Sequence, residues 1–162
     1  TFAERIPVST YEEYQHIIER SRNGETNIFW PTPIKWFAKS SGTTNAKSKF
    51  IPVSMESLED CHYKGGKDLL AIYYNNHPNG KLYNGKHLVV GGSIEDNPNS
   101  TDSYFGDISA IIVNNLPWWA GIRRTPSKEI ILMNDWNSKI YRPSHTKRPK
   151  VTSVFFVRRC YA

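Results

Sequence analysis

The segment from Ser40 to Lys49 contains the residue types best suited to chemistry. It is SSGTTNAKSK, and it has no large apolar side chain. Clustered hydroxyls and unobstructed backbone N–H groups can wrap phosphate oxygens. The ammonium groups of Lys47 and Lys49 can offset the charge that develops as a phosphate leaves. An ordinary turn has the same composition, so composition alone leaves both readings open.

Common nucleotide and metal motifs are missing from the sequence. It contains neither the G-x-x-x-x-G-K-[ST] nor the G-x-G-x-x-G pattern. The five histidines never adopt a ligand spacing, so no protein-held metal is expected. Cys61 and Cys160 belong to no C-x-x-C pair, and both are interpreted as free thiols.

The residues on either side of this segment predict strands. Before it, residues 34–39 alternate in the manner of a strand. After it, Phe50-Ile51-Pro52-Val53 is a second short apolar run. The pattern therefore predicts strand, solvent-accessible polar loop, strand.

Two helices are predicted around these strands. Thr10 and Glu13 form a capping-box pattern that predicts a helix from about Tyr11 to Ser21, ending at Asn23-Gly24. A longer amphipathic helix is expected to begin at Ser54 or Ser57. Its apolar positions recur at steps of three and four: Leu58, Cys61, Gly65, Leu69, Ile72 and Tyr73. We interpret Gly65-Gly66 as a site of close packing.

The remaining pattern completes an α/β fold of mixed strands with packed helices. Leu88-Val89-Val90 predicts a buried strand, and Glu95 to Thr101 a loop. Helices are expected over Asp107 to Asn115 and over Pro126 to Ile140. No internal repeat is present, and no apolar run approaches the length of a membrane span.

The basic charge lies at one end of the chain. The net charge is +6, yet residues 1–135 carry 14 basic and 15 acidic side chains. Residues 136–162 carry seven basic side chains and no acidic one. This distribution does not favour a nucleic-acid groove. We expect a domain over residues 1–140 and an unrelated basic tail over 141–162, removable without loss of stability.

The order of residues in the loop resembles a known family. Ser40-Ser41-Gly42-Thr43-Thr44 followed by Lys49 resembles the first ATP-binding motif of the luciferase-like adenylate-forming superfamily. The stretches FAKSSGTTNAKSKFIPVS and YEEYQHIIERSRNGE resemble the Gretchen Hagen family of auxin-responsive acyl-acid amido synthetases, in its bacterial branch. The resemblance covers roughly residues 5–140.

The resemblance implies a ligase that uses ATP and Mg²⁺. A carboxylic acid would attack the α-phosphate to give an acyl-adenylate, which an amino-acid amine would then convert to an amide. Ser40, Ser41, Gly42, Thr43 and Thr44 would line the β- and γ-phosphates, with Lys49 as the catalytic basic residue. The magnesium ion would accompany ATP rather than occupy a protein cage.

The resemblance also implies that the domain is incomplete. Asn45-Ala46 stands where many members have glycine, and the later tyrosine loop and ribose-binding aspartate are not found in these 162 residues. We therefore expect an N-terminal part of a large domain that by itself does not form an adenylate. A truncated or frame-shifted product without a function of its own would also fit, and exposed apolar surface around Trp118-Trp119 and Val154-Phe155-Phe156 would be its signature.

A non-catalytic nucleotide- or nucleic-acid-binding module is the alternative from another class. Its stacking surfaces would be tryptophans, namely Trp30, Trp36, Trp118, Trp119 and Trp136. Most of these lie in the nearly neutral body, away from the basic excess, so the ligase is favoured. The sequence predicts a cytoplasmic protein with a small carboxylic acid and an amino acid as partners, and with neither a nucleic acid nor a membrane.

Overall fold

A computed structural model describes residues 2–40, 48–135, 137–139 and 150–156. The predicted loop residues Ser41, Gly42, Thr43 and Thr44 lie outside these ranges, as does Lys47. Ser40 and Lys49, which bound the loop, lie inside them.

Two helices open the chain, α1 (Phe2–Arg5) and α2 (Tyr11–Arg22). The capping box predicted before α2 is present, and the Thr10 N–H donates to the Glu13 carboxylate at 2.9 Å. The helix ends at Asn23, and Gly24 follows at a φ of +90°, a conformation that glycine adopts without steric cost. The helix predicted over residues 11–21 is confirmed.

The predicted strands on either side of the loop belong to a four-stranded sheet. Its strands are β1 (Trp36–Lys39), β2 (Phe50–Val53), β4 (Ile94–Asp96) and β5 (Tyr104–Gly106), in the order β2-β1-β5-β4. Strand β1 is antiparallel to β2 and parallel to β5. Strand β4 corrects the expectation of a loop from Glu95. Polar side chains such as Glu95 and Asp96 are common on an edge strand, because its outer side faces water.

Helices cover both faces of this sheet. On one face, Trp36, Ala38 and Val53 form a buried cluster with Leu58 and Ile111. On the opposite face, Phe37 is completely buried, and Phe50 packs edge-on against Phe105. Alternate side chains of a strand point to opposite faces, so β1 is buried on both sides.

The second predicted helix is present, but some of the apolar side chains in its second half are exposed and not packed against the protein. A π-helical segment (Ser57–Tyr63) runs directly into α3 (Lys64–Asn76). Leu58 is completely buried, whereas Leu69 and Ile72 are 62% and 61% exposed. A Cβ added to Gly65 or Gly66 would have no atom within 4 Å. The close-packing interpretation of these glycines is therefore wrong within the described part of the chain.

A second sheet has the central strand β3 (Lys86–Val90), which follows a 3-10 turn (Leu82–Asn84). Its parallel neighbours are β6 (Arg124–Thr125) and β7 (Val151–Phe156), in the order β6-β3-β7. The buried strand predicted from Leu88-Val89-Val90 is confirmed as a strand, although its side chains are only half-buried.

Of the two helices predicted for the rest of the chain, one is shorter than expected. Helix α4 (Ile108–Asn115) matches its prediction, and α5 (Trp118–Gly121) is a single turn. Helix α6 spans only Lys128–Ile131, so the expected helix from Pro126 to Ile140 is wrong in length. The Asp135 carboxylate accepts from Ser138 N–H at 2.7 Å and starts a separate turn. Aspartate favours such local caps over a helix interior.

Residues 150–156 are hydrogen-bonded to the body of the protein. Lys86 N–H donates to the Lys150 carbonyl at 2.8 Å, and the Thr152 hydroxyl donates to the Leu82 carbonyl at 2.6 Å. Sequence alone did not indicate a partner for this strand, and the expectation of a structurally separate tail does not hold for these residues. The division into a domain over 1–140 and an unrelated tail over 141–162 stays a prediction.

In the described ranges, no helix combines the length and the apolar character needed to cross a membrane.

Candidate phosphate-binding site

The base of the predicted phosphate loop is a regular strand pair. Lys39 lies opposite Phe50, and Ser40 N–H donates to the Lys49 carbonyl at 2.9 Å, which extends the ladder by one pair. The structure therefore brings Ser40 and Lys49 together at the point where the loop leaves the sheet. Ser40 is half-buried, and the Lys49 side chain is 47% exposed.

Lys49 contacts the first turn of α2. Its Nζ lies 3.3 Å from the Glu12 Oε1 and 4.9 Å from the centre of the Tyr11 ring. The Tyr11 hydroxyl accepts a hydrogen bond from Phe50 N–H at 3.0 Å. The same helix turn thus touches both the side chain of Lys49 and the backbone of the next residue.

The start of α2 favours the ionised form of the Glu12 carboxyl. The backbone N–H of Glu12 in the first turn, followed by the Lys49 ammonium, lowers the pKa of the Glu12 carboxyl. A carboxylate is also favoured there by the positive end of the helix dipole. Glu12 is therefore ionised at neutral pH and acts as a counter-ion for Lys49.

A second lysine lies at the same end of β1. The Lys39 ammonium lies 5.5 Å from the centre of the Phe105 ring, on the sheet face that α2 covers. Lysine ammonium groups bind phosphate as point charges, without the fixed geometry of an arginine. The exposed ammonium of Lys49 and the hydroxyl of Ser40, the residue paired with it through the backbone, have the donor chemistry that fits phosphate oxygens.

Metal ligation by protein side chains finds no support in the described ranges. They contain no group of three or more His, Cys, Asp or Glu residues arranged to hold a metal ion.

A separate groove of about 850 Å³ opens at the other end of β1, and sequence reasoning did not anticipate it. Trp36 and Tyr104 stack there with ring centres 5.1 Å apart. The groove is lined by mixed apolar and polar residues: Thr32, Pro33, Lys35, Trp36, Val53, Met55, Glu56, Ile94, Tyr104, Asn114, Asn115 and Leu132. A strand rises about 3.3 Å per residue, so this groove lies roughly 10 Å or more from the loop base, and the two sites are distinct.

The comparison with protein families decides the assignment. Residues 1–145 match the model of the GH3 family N-terminal domain. The chain belongs to the GH3 family. The mixed α/β architecture predicted from the sequence agrees with the fold of GH3 enzymes, since it matches the solved GH3.15 acyl acid amido synthetase with a TM-score of 0.62. That match has 24% identity and covers 84% of this chain and 23% of the other, so it concerns the fold alone.

Curated GH3 relatives match a shorter stretch. Indole-3-acetic acid-amido synthetase GH3.15 of Arabidopsis thaliana is 39% identical over 59 residues, which is 36% of this chain and 10% of that protein. Jasmonoyl–L-amino acid synthetase JAR6 of Nicotiana attenuata is 35% identical over 60 residues, again 36% of this chain and 10% of that protein. A second structure, AtGH3.15 in complex with 2,4-DB, has a TM-score of 0.57 at 24% identity and covers 76% of this GH3 chain and 22% of the other. The GH3 chain thus spans under a quarter of the length of these solved relatives.

Proposed function

We propose that this chain supplies the phosphate-binding part of an ATP-dependent acyl-acid amido synthetase. The observation that carries the proposal is the strand pair of a GH3-family chain, which ends in Ser40 and an exposed Lys49 at the base of a Ser/Thr/Gly loop. Ser40, Ser41, Gly42, Thr43 and Thr44 would contact the β- and γ-phosphates of ATP. The Lys49 ammonium would offset charge that develops during phosphate transfer.

The reaction has two steps. A carboxylate oxygen of the acid bonds to the α-phosphorus of ATP, and pyrophosphate leaves with the electron pair of the broken P–O bond. The amine of an amino acid then attacks the acyl carbonyl, loses a proton and expels AMP. Magnesium would enter with ATP and neutralise part of its charge.

The relatives support this substrate class. All four matches reported above are described as indole-3-acetic acid- or jasmonoyl-amino acid synthetases or as acyl acid amido synthetases, and one of the solved structures contains the small acid 2,4-DB. A carboxylic acid and an amino acid are therefore the proposed substrates of the full-length protein that carries this sequence. Membership of a bacterial branch, a cytoplasmic location and the lack of nucleic-acid or membrane partners remain predictions from the sequence.

The role of Lys49 can be tested by ATP–pyrophosphate exchange with a panel of carboxylic acids. In the full-length protein, Lys49→Ala should lower the exchange rate by about 100-fold or more, the usual effect of removing a group that stabilises transition-state charge. The KM for the acid should change much less, because the proposed role of this lysine is to offset charge on the phosphates. Lys67→Ala, at an exposed position of α3, is the matched control and should exchange normally.

An unaffected Lys49→Ala enzyme would remove this lysine from the mechanism. The 162-residue chain, assayed in parallel, should show no exchange and weak ATP binding. Adenylation needs the phosphate loop, the ribose and base contacts and the acid site in one arrangement. Exchange by the short chain at the rate of the full-length protein would contradict the expected incompleteness.

A further inference from the structure

The first turn of α2 contacts Lys49 and the residue that follows it. The Lys49 Nζ lies 3.3 Å from Glu12, and the Phe50 N–H donates to the Tyr11 hydroxyl. At the other end of the helix, the Arg22 guanidinium lies 3.7 Å from the centre of the Phe50 ring. Helix α2 therefore holds Phe50 from both of its ends, through the backbone and through the side chain.

Helix α2 is held in place at both of its ends and in its middle. Its start is fixed by the Thr10–Glu13 capping box, and Ile18 is buried in its middle. The Arg22 carbonyl accepts from Asn97 Nδ2 at 2.7 Å, which fixes its end. The backbone of Glu12 is consequently fixed beside Lys49. The Lys49 side chain has four rotatable bonds, so its ammonium can move.

The ion pair between Glu12 and Lys49 is weak enough for the Lys49 ammonium to exchange Glu12 for another anion. The side chains of Lys49 and Glu12 are 47% and 66% exposed, and such surface pairs are weak and screened by salt. A triphosphate carries more negative charge than one carboxylate and offers more acceptor oxygens. An arriving nucleotide can therefore draw the ammonium away from Glu12 at small cost.

We propose that Glu12 is the resting counter-ion of Lys49 and competes with the nucleotide triphosphate for its ammonium, while Tyr11 positions the backbone at Phe50. This inference rests on the proposed function, because it requires Lys49 to bind the nucleotide. Glu12 and Tyr11 are proposed as positioning residues, since Glu12 acts through the Lys49 ammonium and Tyr11 through the backbone at Phe50. The role of Glu12 is inhibitory in the resting state and sets how tightly ATP binds.

The first test is steady-state kinetics of the full-length protein with ATP as the varied substrate. Glu12→Gln should lower the KM for ATP about two- to fivefold, the range spanned by an exposed ion pair, and leave kcat unchanged. The difference should shrink as ionic strength rises. In a Lys49→Ala background, Glu12→Gln should have no effect on the KM, because its target is gone.

Glu13→Gln is the matched control. It removes one negative charge from the same helix turn and keeps the acceptor for Thr10 N–H, because glutamine also serves at this position of a capping box. Glu13 has no described contact with Lys49. Its KM for ATP should stay close to that of the wild type. An equal fall in the KM for ATP in both variants would show that the loss of any negative charge in this turn has the same effect, and it would overturn the specific role of Glu12.

Hydrogen exchange gives a readout that does not depend on activity. Tyr11→Phe keeps the ring beneath Lys49 but removes the acceptor for Phe50 N–H, so amides of a peptide covering residues 48–53 should exchange faster. Tyr14→Phe, on the exposed side of α2, should not change them. Unchanged exchange in Tyr11→Phe would overturn the positioning role of Tyr11.

The possible failures are distinguishable. If Lys49→Ala abolishes pyrophosphate exchange but Glu12→Gln leaves or raises the KM for ATP, the competition is wrong and the proposed function stands. If Lys49→Ala has no effect, the role of Lys49 in the proposed function fails and the competition fails with it.

Discussion

The ammonium of Lys139 lies inside the protein, although the sequence assigns this residue to the basic end of the chain. Its Nζ donates to the carbonyls of Gly91 and Gly92 at 2.8 and 2.7 Å. A Cβ at Gly92 would lie 1.8 Å from the Asp107 carboxylate, so glycine is required where these groups converge. Lys139 thus ties residues 137–139 to the end of β3, and counting charges in the sequence overstated the basic surface.

His87 is a second residue whose setting the sequence did not reveal. It lies on β3, its Nδ1 is 2.6 Å from the Ser153 Oγ on β7, and its ring packs edge-on against Tyr83. Burial, and then the nearby Arg123 guanidinium, lower the pKa of His87 below its ordinary value of 6.5. The neutral ring is therefore favoured in the folded protein.

This shift predicts a pH dependence of stability. When the folded-state pKa of a histidine is below its unfolded value, the unfolded chain binds the proton more readily. The contribution of His87 should be complete above about pH 6.5 and should decline as the pH falls towards the folded-state pKa. Thermal melts between pH 7.5 and 5.5 should show a smaller loss for His87→Gln than for the wild type. His16→Gln, at an exposed position of α2, is the control, and equal slopes for all three proteins would refute this role.

The site was predictable at the residue scale only in part. Ser40 and Lys49 followed from residue type and order, because their chemistry and their place between two apolar runs are local properties of the sequence. The contacts of Tyr11 and Glu12 were not predictable, since Tyr11 and Phe50 are separated by 39 positions. Only the packing of α2 on the sheet brings them together.

Elements with local signals were the ones that the sequence predicted well. Helix α2 has a capping box and a glycine stop, and β1 and β2 have apolar runs that end in a polar loop. Strand β4 has no apolar pattern and forms because β5 offers it a partner. The early end of α6 was missed because Asp135 caps a new turn, a preference that competes with an otherwise helical pattern.

Helix α3 gives a prediction about glycine. Gly65 lies in a continuous helical segment with open space around it, so Gly65→Ala should raise the free energy of unfolding by roughly 0.5–1 kcal/mol. Denaturant melts of the chain would measure the change. Gly80→Ala is the opposite case, because its Cβ would lie 2.8 Å from the Tyr73 ring and 3.0 Å from the His77 carbonyl, and it should destabilise. A loss of stability in Gly65→Ala would contradict this prediction.

Exposed apolar side chains are a feature of the molecule as a whole. Trp118 is 80% exposed, and Trp119 and Val154 are also exposed. Exposed apolar surface at these places is the signature given above for a truncated product, and that alternative stays a hypothesis. The fold matches 23% of the length of the solved GH3.15 synthetase.

The periodicity of α3 predicted an apolar face that packs against the protein. Such a pattern shows only that a helix face is apolar, and it does not show which surface, if any, packs against that face.

The attachment of β7 leads to a prediction for the whole chain that differs from the expectation of a dispensable tail. Strand β3 pairs with only two residues of β6 on one side, and β7 supplies its other, longer neighbour. Deleting residues 141–162 would remove the bonds from Lys86 to Lys150, from Thr152 to Leu82 and between His87 and Ser153.

Each of these hydrogen bonds contributes about 1 kcal/mol, and about 1 kcal/mol shifts the Tm of a chain of this size by 2–4 °C, so the deletion should lower the Tm by roughly 5–15 °C. The uncovered edge of β3 should also promote association, because unpaired N–H and C=O groups of a strand can pair with another chain. Scanning calorimetry and light scattering would measure the two effects. Deletion of residues 157–162 alone is the control, since it leaves β7 in place. A Tm that stays unchanged after the longer deletion would show that β7 adds nothing to the stability of the second sheet, and that the chain behaves as the charge pattern predicted.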